Sequence, residues 1–176
     1  MGVVYGIGPP VPSRERSLAC RYGDDVTAEI EIAPIASEQF EELVPLIAAY
    51  QRFYEVAEID DERNRAFFRG FLAPSEDGLL LGARIEGRLA GYACLYWHFS
   101  SLEATECVLM NDLFVDESAR GQGVGRALIE ASADVARERG VPFVEWSTAP
   151  DNKTAQRLYD STGAERTEWF SYELRV

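Results

Sequence analysis

The sequence predicts an α/β (α+β) fold: a mixed, mostly antiparallel central sheet flanked by helices. Three observations carry this. Leu79 to Trp97 reads as a hairpin, two apolar runs around the turn Glu86-Gly87-Arg88, and a further apolar run from Glu106 to Val115 extends it into a meander. Directly after that run, Val124, Ala127, Leu128, Ala131 and Val135 recur with helical spacing. The chain has 176 residues with 47% hydrophobic content, one domain's worth of sequence with enough apolar surface for a substantial core.

Taken in order, residues 1–26 hold Pro9, Pro10 and Pro12, several glycines and scattered charges without a sustained period, and read as a loosely ordered extension. A single domain then spans 27–176. Thr27 to Ile35 alternates apolar and acidic residues, which predicts a half-exposed first strand. Ser37 has the look of a helix cap, and Phe40, Leu43, Ile47 and Tyr50 follow at helical spacing, with Pro45 inside the run as a place for a kink. A second helix starts at Asp60 or Asp61 and carries Ala66, Phe67, Phe71 and Leu72. Val141 to Thr148 reads as a strand, Asn152 opens a short helix, and a last strand is expected from about Glu165 to Leu174.

Charge and composition exclude several functions. A net charge of -13 disfavours nucleic acid, whose binding rests on Lys and Arg. An acidic surface suits cationic partners such as amines. No apolar run approaches the ~20 residues that cross a bilayer, and the N-terminus does not read as a secretory signal. The three cysteines, Cys20, Cys94 and Cys107, have no metal-type spacing and an odd count, and His98 stands alone. The expectation is a cytoplasmic protein without a metal.

The most informative stretch joins the Leu113-Phe114-Val115 strand end to the helix through Asp116 to Gly125. Three glycines there free backbone N–H groups to face an anion, and the opening helix adds a partial positive end. A dinucleotide fingerprint would need a glycine where Arg126 stands, and a Walker loop needs Gly-Lys-Ser/Thr where the chain has Gly125-Arg126-Ala127. The spacing that fits is Arg-x-x-Gly-x-Gly, at Arg120, Gly123 and Gly125. It resembles the pyrophosphate loop of the GNAT superfamily of acetyl-CoA-dependent N-acetyltransferases. The downstream pattern is similar to that superfamily too: a strand, then Asn152 and Tyr159 seven positions apart, then Gly163-Ala164.

The resemblance implies a chemistry. Acetyl-CoA is the co-substrate, with its pyrophosphate on Arg120, Gly121, Gln122, Gly123, Val124, Gly125 and Arg126. Its pantetheine arm lies along Leu113, Phe114 and Val115 and against Asn152. The Leu113 amide is the donor for the oxyanion, and Tyr159 is the general acid for the leaving thiolate. Asn111-Asp112-Leu113-Phe114-Val115 resembles the Glu-Asp-aromatic-aromatic-Val strand of polyamine and thialysine acetyltransferases, with Asn111 where those enzymes carry a glutamate linked to amine deprotonation. Asp112 matches the neighbouring acid; alternation puts it on the face opposite Asn111 unless a bulge intervenes. Asp112, Glu106, Glu145 and a water relay are the alternatives for the base. Trp169 matches a tryptophan of the same subgroup that lies near the acceptor or a dimer partner, and fungal histone and D-amino-acid acetyltransferases share a similar pattern.

The acceptor this implies is a small polyamine-like or lysine-like amine, with a protein amine as rival and a homodimer as the assembly. A non-catalytic acyl-CoA sensor is the alternative function. The acidic connector between the first two helices, with Glu55, Glu58, Asp60 and Asp61, reads either as a selector of cationic amines or as a solvated loop that caps the second helix.

Overall fold

A computed structural model describes the backbone of Arg16–Ser17 and residues 29–176. The chain divides into two compact units, Met1–Trp146 and Ser147–Val176. Among the described residues, the first unit carries a six-stranded sheet in chain order: β1 (Arg16–Ser17), β2 (Ile30–Pro34), β3 (Gly78–Ile85), β4 (Arg88–Ser100), β5 (Thr105–Val115) and β6 (Val144–Glu145). All neighbours are antiparallel except β5 and β6. Helices α1 (Phe40–Phe53) and α2 (Asp61–Phe68) connect β2 to β3, and α3 (Val124–Arg139) connects β5 to β6. The mostly antiparallel α/β architecture expected from the sequence is the one observed.

The hairpin forms because its turn residues accept left-handed backbone. Glu86 and Gly87 have φ of 51° and 76°, the pair of positive angles that matches the twist of the flanking strands. One sheet face then packs on α1 and α2. Phe40, Leu43, Val44, Ile47, Phe68 and Phe71 meet Leu80, Tyr92, Cys94 and Phe114 there, all buried. The strand residues between them, Leu79, Leu81, Ala93 and Leu95, are also buried, and alternation turns them to the other face, where α3 lies across β2 to β5. Val124, Ala127, Leu128, Ala131 and Val135 are the buried stripe of α3, at the predicted spacing. The helix stops at Gly140, whose φ of 72° makes a left-handed cap.

Several local expectations are corrected. A 3₁₀ turn, Ser37–Gln39, precedes α1, so Ser37 is not its cap. The Ala36 N–H is satisfied instead by the Gln39 side-chain oxygen at 3.2 Å. Helix α1 runs on through Pro45; one bond is lost, to the carbonyl four residues earlier near the helix start, where the helix tolerates it. Helix α2 is capped by Asp60 as expected, but Asn64 and Phe68 are its buried residues while Phe67 is exposed. The strand expected over Val141 to Thr148 shrinks to β6.

In the second unit, α4 (Lys153–Asp160) forms behind Asn152. The strand expected from Glu165 to Leu174 does not form: residues 164–176 have no regular structure. Trp169, Phe170, Tyr172 and Leu174 are each more than four-fifths exposed. Alternating aromatic residues give strand propensity, but a strand persists only when its ladder finds a partner, and these residues enter none of the described ladders. Residues 1–15 and 18–28, which include most of the expected extension and the start of the expected first strand, lie outside the described residues.

Candidate active site

The glycine loop is built as an open collar of amides. Asp116 closes the end of β5 by accepting the Ser118 N–H at 3.1 Å, and a 3₁₀ turn follows over Glu117–Ala119. Gly121 and Gly123 then take φ of 78° and 88°, angles that a Cβ would strain. No atom lies close enough to forbid a side chain at either position, so backbone conformation alone requires glycine. The first helical bond of α3 runs from the Ala127 N–H to the Gly123 carbonyl at 3.0 Å. The amides of Val124 and Gly125 therefore have no carbonyl within the helix and face outward at its positive end. Arg120 and Gln122 brace the loop: Arg120 Nε donates to the Val115 carbonyl at 3.1 Å and pairs with Glu117 at 3.3 Å, and Gln122 donates to the Ser118 carbonyl at 3.0 Å. Arg126 lies 3.8 Å from Glu130.

Beside the collar, β5 has an unpaired edge. Strand β6 pairs only with Val108 and Leu109, so among the described strands Met110 to Val115 are held on the β4 side alone. The Asp116 N–H bonds the Ala90 carbonyl at 2.9 Å. Alternation then aims the backbone groups of Phe114 and Asp112 at β4, and those of Leu113 and Val115 at the open edge. The Arg120 bond to the Val115 carbonyl has the direction this requires. Donors on an open strand edge can receive an extended amide-bearing arm or an oxyanion.

Asp112 is the one buried acid among the described residues, 5% exposed. A bulge explains how it reaches its position. Cys94 pairs with Asp112 but Leu95 pairs with Met110, so Asn111 is the extra residue on β5. Met110 faces α3, where the Ser132 hydroxyl meets its sulfur at 3.8 Å, whereas Asp112 faces α1. There Tyr50 donates a hydrogen bond to its carboxylate, and Asn111 Nδ2 donates a second at 3.1 Å. Burial lifts the Asp112 carboxyl from its ordinary 3.8 to about 6, with the Tyr50 and Asn111 donors pulling the other way. Tyr92, Cys94 and Tyr96 on β4 complete the surroundings, each pushed above its ordinary value by burial first and further by the Asp112 charge. The Tyr92 hydroxyl is buried without a hydrogen-bond partner. A carboxylate poised near neutrality among phenols is what proton abstraction from an ammonium asks for.

The structure therefore brings Asp112, Leu113, Phe114 and Val115 together in one strand, next to the loop from Arg120 to Arg126. Sequence reading missed Tyr50, Tyr92 and Tyr96. Tyr50 looked like one more apolar position of α1, and only the even spacing of Tyr92, Cys94 and Tyr96 hinted at a shared face. The other candidate bases sit elsewhere: Glu106 is 3.7 Å from Arg139, and Glu145 is 3.7 Å from both His98 and Cys107. In the connector, Asp60 acts as a cap, its carboxyl held below the usual range by the Arg63 amide and then that of Glu62. Glu58, Asp61 and Glu62 line an open depression with Pro45, Ala48, Arg52 and Ile59.

In the second unit, Asn152 accepts the Ala155 N–H at 3.1 Å and caps α4. Tyr159 follows two helical turns later, so the two share a face of that helix. Among the described residues no cluster of His, Cys, Asp and Glu could hold a metal ion, and no helix is long and apolar enough to cross a membrane.

Comparison with known proteins gives a consistent picture. Residues 41–164 match the model of the acetyltransferase (GNAT) family. An uncharacterized N-acetyltransferase of Bacillus subtilis is 33% identical over 76% of this chain and 89% of its own length. The D-amino-acid N-acetyltransferase HPA3 of Saccharomyces cerevisiae is 47% identical over 73 residues, 42% of this chain and 45% of that protein. A crystal structure described as a "probable acetyltransferase" superposes with a TM-score of 0.72 at 30% identity, covering 82% of this chain and 97% of that one.

Proposed function

The chain belongs to the GNAT acetyltransferase family and is an N-acetyltransferase, and from this premise we propose that it transfers the acetyl group of acetyl-CoA to a small primary amine, with Asp112 as the base. The observation that carries the proposal is the bulge that turns a buried carboxylate toward α1, one residue before the open strand edge. The amine arrives as an ammonium. Asp112 removes its proton, and the lone pair attacks the thioester carbon. The Leu113 N–H stabilises the oxygen as it becomes negative. Collapse breaks the carbon–sulfur bond, and Tyr159 supplies the proton that the thiolate takes. The second proton lost by the nitrogen returns to the Tyr159 oxygen through solvent, while Asp112 gives its own to water. Acetyl-CoA is held by the amides of Gly121, Gln122, Gly123, Val124 and Gly125, by the Arg120 and Arg126 guanidiniums, by the backbone of Leu113 and Val115, and by Asn152. The backbone of Phe114, expected to share this task, is turned to β4 instead. Residues 27–176 act as one domain, consistent with a family match that runs across both units.

The favoured acceptor is lysine-like or polyamine-like. Its support is the acidic balance of the chain, the carboxylates around the α1–α2 connector and a relative named for acetylating amino acids. The enzyme works in the cytoplasm, where buried free thiols such as Cys94 and Cys107 persist, and as a homodimer that covers the exposed aromatic residues near the C-terminus. The test is CoA thiol release from acetyl-CoA across polyamines, lysine analogues, D-amino acids, aminoglycosides and basic peptides, with Asp112→Asn and Tyr159→Phe alongside. Release with one amine class, reduced about 10²-fold or more by Asp112→Asn, supports the proposal. Binding of acetyl-CoA without release from any amine points to a sensor instead.

A further inference from the structure

Asn111 and Tyr50 are the two donors on the buried carboxylate, and they come from different elements. Asn111 is exposed at the bulge of β5 and turns its amide inward, 3.1 Å from Asp112 Oδ1. Tyr50 is half-buried on α1, its ring edge-on to Tyr54 at 5.0 Å, to Phe114 at 6.2 Å and to Tyr92 at 6.3 Å. Those contacts hold the ring in place. From the geometry we infer that Tyr50 and Asn111 form a clamp that orients Asp112 and keeps it charged against its apolar surroundings, so that both are positioning residues for the base. This inference rests on the reading of Asp112 as the base.

The remaining groups facing Asp112 do not serve that purpose. Tyr92, Cys94 and Tyr96 on β4 are neutral, and each is pushed further from ionisation by burial and by the Asp112 charge. The Tyr92 hydroxyl, lacking a partner, does not hold the carboxylate. No cation of the first unit pairs with it among the described ion pairs. Two neutral donors thus stand in for a counter-charge. A hydrogen bond to the charged form lowers a carboxyl pKa, so losing one donor raises it. The position next to the base is also no longer acidic. A glutamate at 111 would set a second negative charge against Asp112, whereas asparagine donates.

The experiment is the pH dependence of kcat/KM for wild type, Tyr50→Phe, Asn111→Ala and Asp112→Asn with the best amine found. Each donor deletion is expected to move the acid limb up by about one pH unit, which lowers the rate near pH 6 to roughly a fifth and leaves it nearly unchanged near pH 8.5. A merely structural loss would scale the rate equally at all pH values. Asn111→Ala removes an exposed side chain, so it reports on the clamp even if Tyr50→Phe unfolds. An unmoved acid limb in Asn111→Ala, with Asp112→Asn inactive, overturns the clamp and leaves the base reading standing. Full activity in Asp112→Asn overturns the base reading itself.

Discussion

The charge that makes Asp112 useful is expected to weaken the fold, and Asp112→Asn separates the two effects. Burial raises its carboxyl from 3.8 to about 6 in the folded chain. The sign follows from linkage. A carboxyl whose pKa is higher in the folded than in the unfolded state costs nothing well below the unfolded value of 3.8, where both states hold the proton. Its cost grows as pH rises through the window from about 4 to 6 and is constant above it. A shift of about two units, at about 1.4 kcal/mol each, puts that cost near 3 kcal/mol at pH 8. Asparagine keeps an oxygen for the Tyr50 and Asn111 donors and carries no charge. The variant should therefore be more stable than wild type at pH 8, by up to about 3 kcal/mol or roughly 5–10 °C in Tm for a chain of this size, and the gain should shrink to about 1 kcal/mol at pH 4.5. Catalysis should fall about 10²-fold or more. Urea and thermal unfolding of both proteins at pH 4.5, 6 and 8, set beside CoA release, measure this directly. A variant less stable than wild type by the same amount at every pH would refute the reasoning, because the carboxylate would then be a net stabilising partner.

Other positions test other parts of the site. Gly123→Ala meets only Ile30 Cδ1, at 3.8 Å, but must hold φ at 88°; it should cost about 1–2 kcal/mol in unfolding and raise KM for acetyl-CoA several-fold with little change for the amine. Gly91→Ala would set a Cβ 2.7 Å from the Phe114 carbonyl and 3.2 Å from Val124; it forces β4 from β5 at the open edge, should destabilise by about 1–3 kcal/mol, and should depress kcat as well. Tyr159→Phe removes only a hydroxyl from α4; calorimetry should find acetyl-CoA affinity unchanged while CoA release falls at least tenfold.

Much of the architecture was legible because it rests on periodicities the side chains display. The hairpin turn names itself through Glu86-Gly87, and α3 through its buried stripe between Gly123 and Gly140. The loop was legible for the same reason: the left-handed angles at Gly121 and Gly123 leave a mark in the sequence. Failures came where local propensity needed a partner. The aromatic tail from Glu165 to Leu174 looks like a strand by composition and stays unpaired, and Phe67 is apolar yet exposed because α2 turns Asn64 and Phe68 inward. There Asn64 exchanges two hydrogen bonds with Gln51, at 2.7 and 2.9 Å, so a polar pair takes a position that pattern reading reserves for an apolar residue.

The proposed base was the part least open to pattern reading, and the reason is geometric. In an uninterrupted strand Met110, Asp112 and Phe114 share one face. Met110 lies against Ser132 of α3, while Phe114 packs with Tyr50 and Tyr92 on the α1 side. Both contacts can hold only if the strand changes phase between them, and one extra residue does that. The residue is Asn111, whose type does not announce a bulge. The phase change delivers Asp112 to the α1 face, and the same residue supplies a donor once the acid is there. The departure at position 111 and the placement of the acid at 112 are thus a single structural fact. A glutamate at the bulge could reach outward to an amine through solvent, whereas here the acid lies inside, and its proton affinity is set by the groups that surround it.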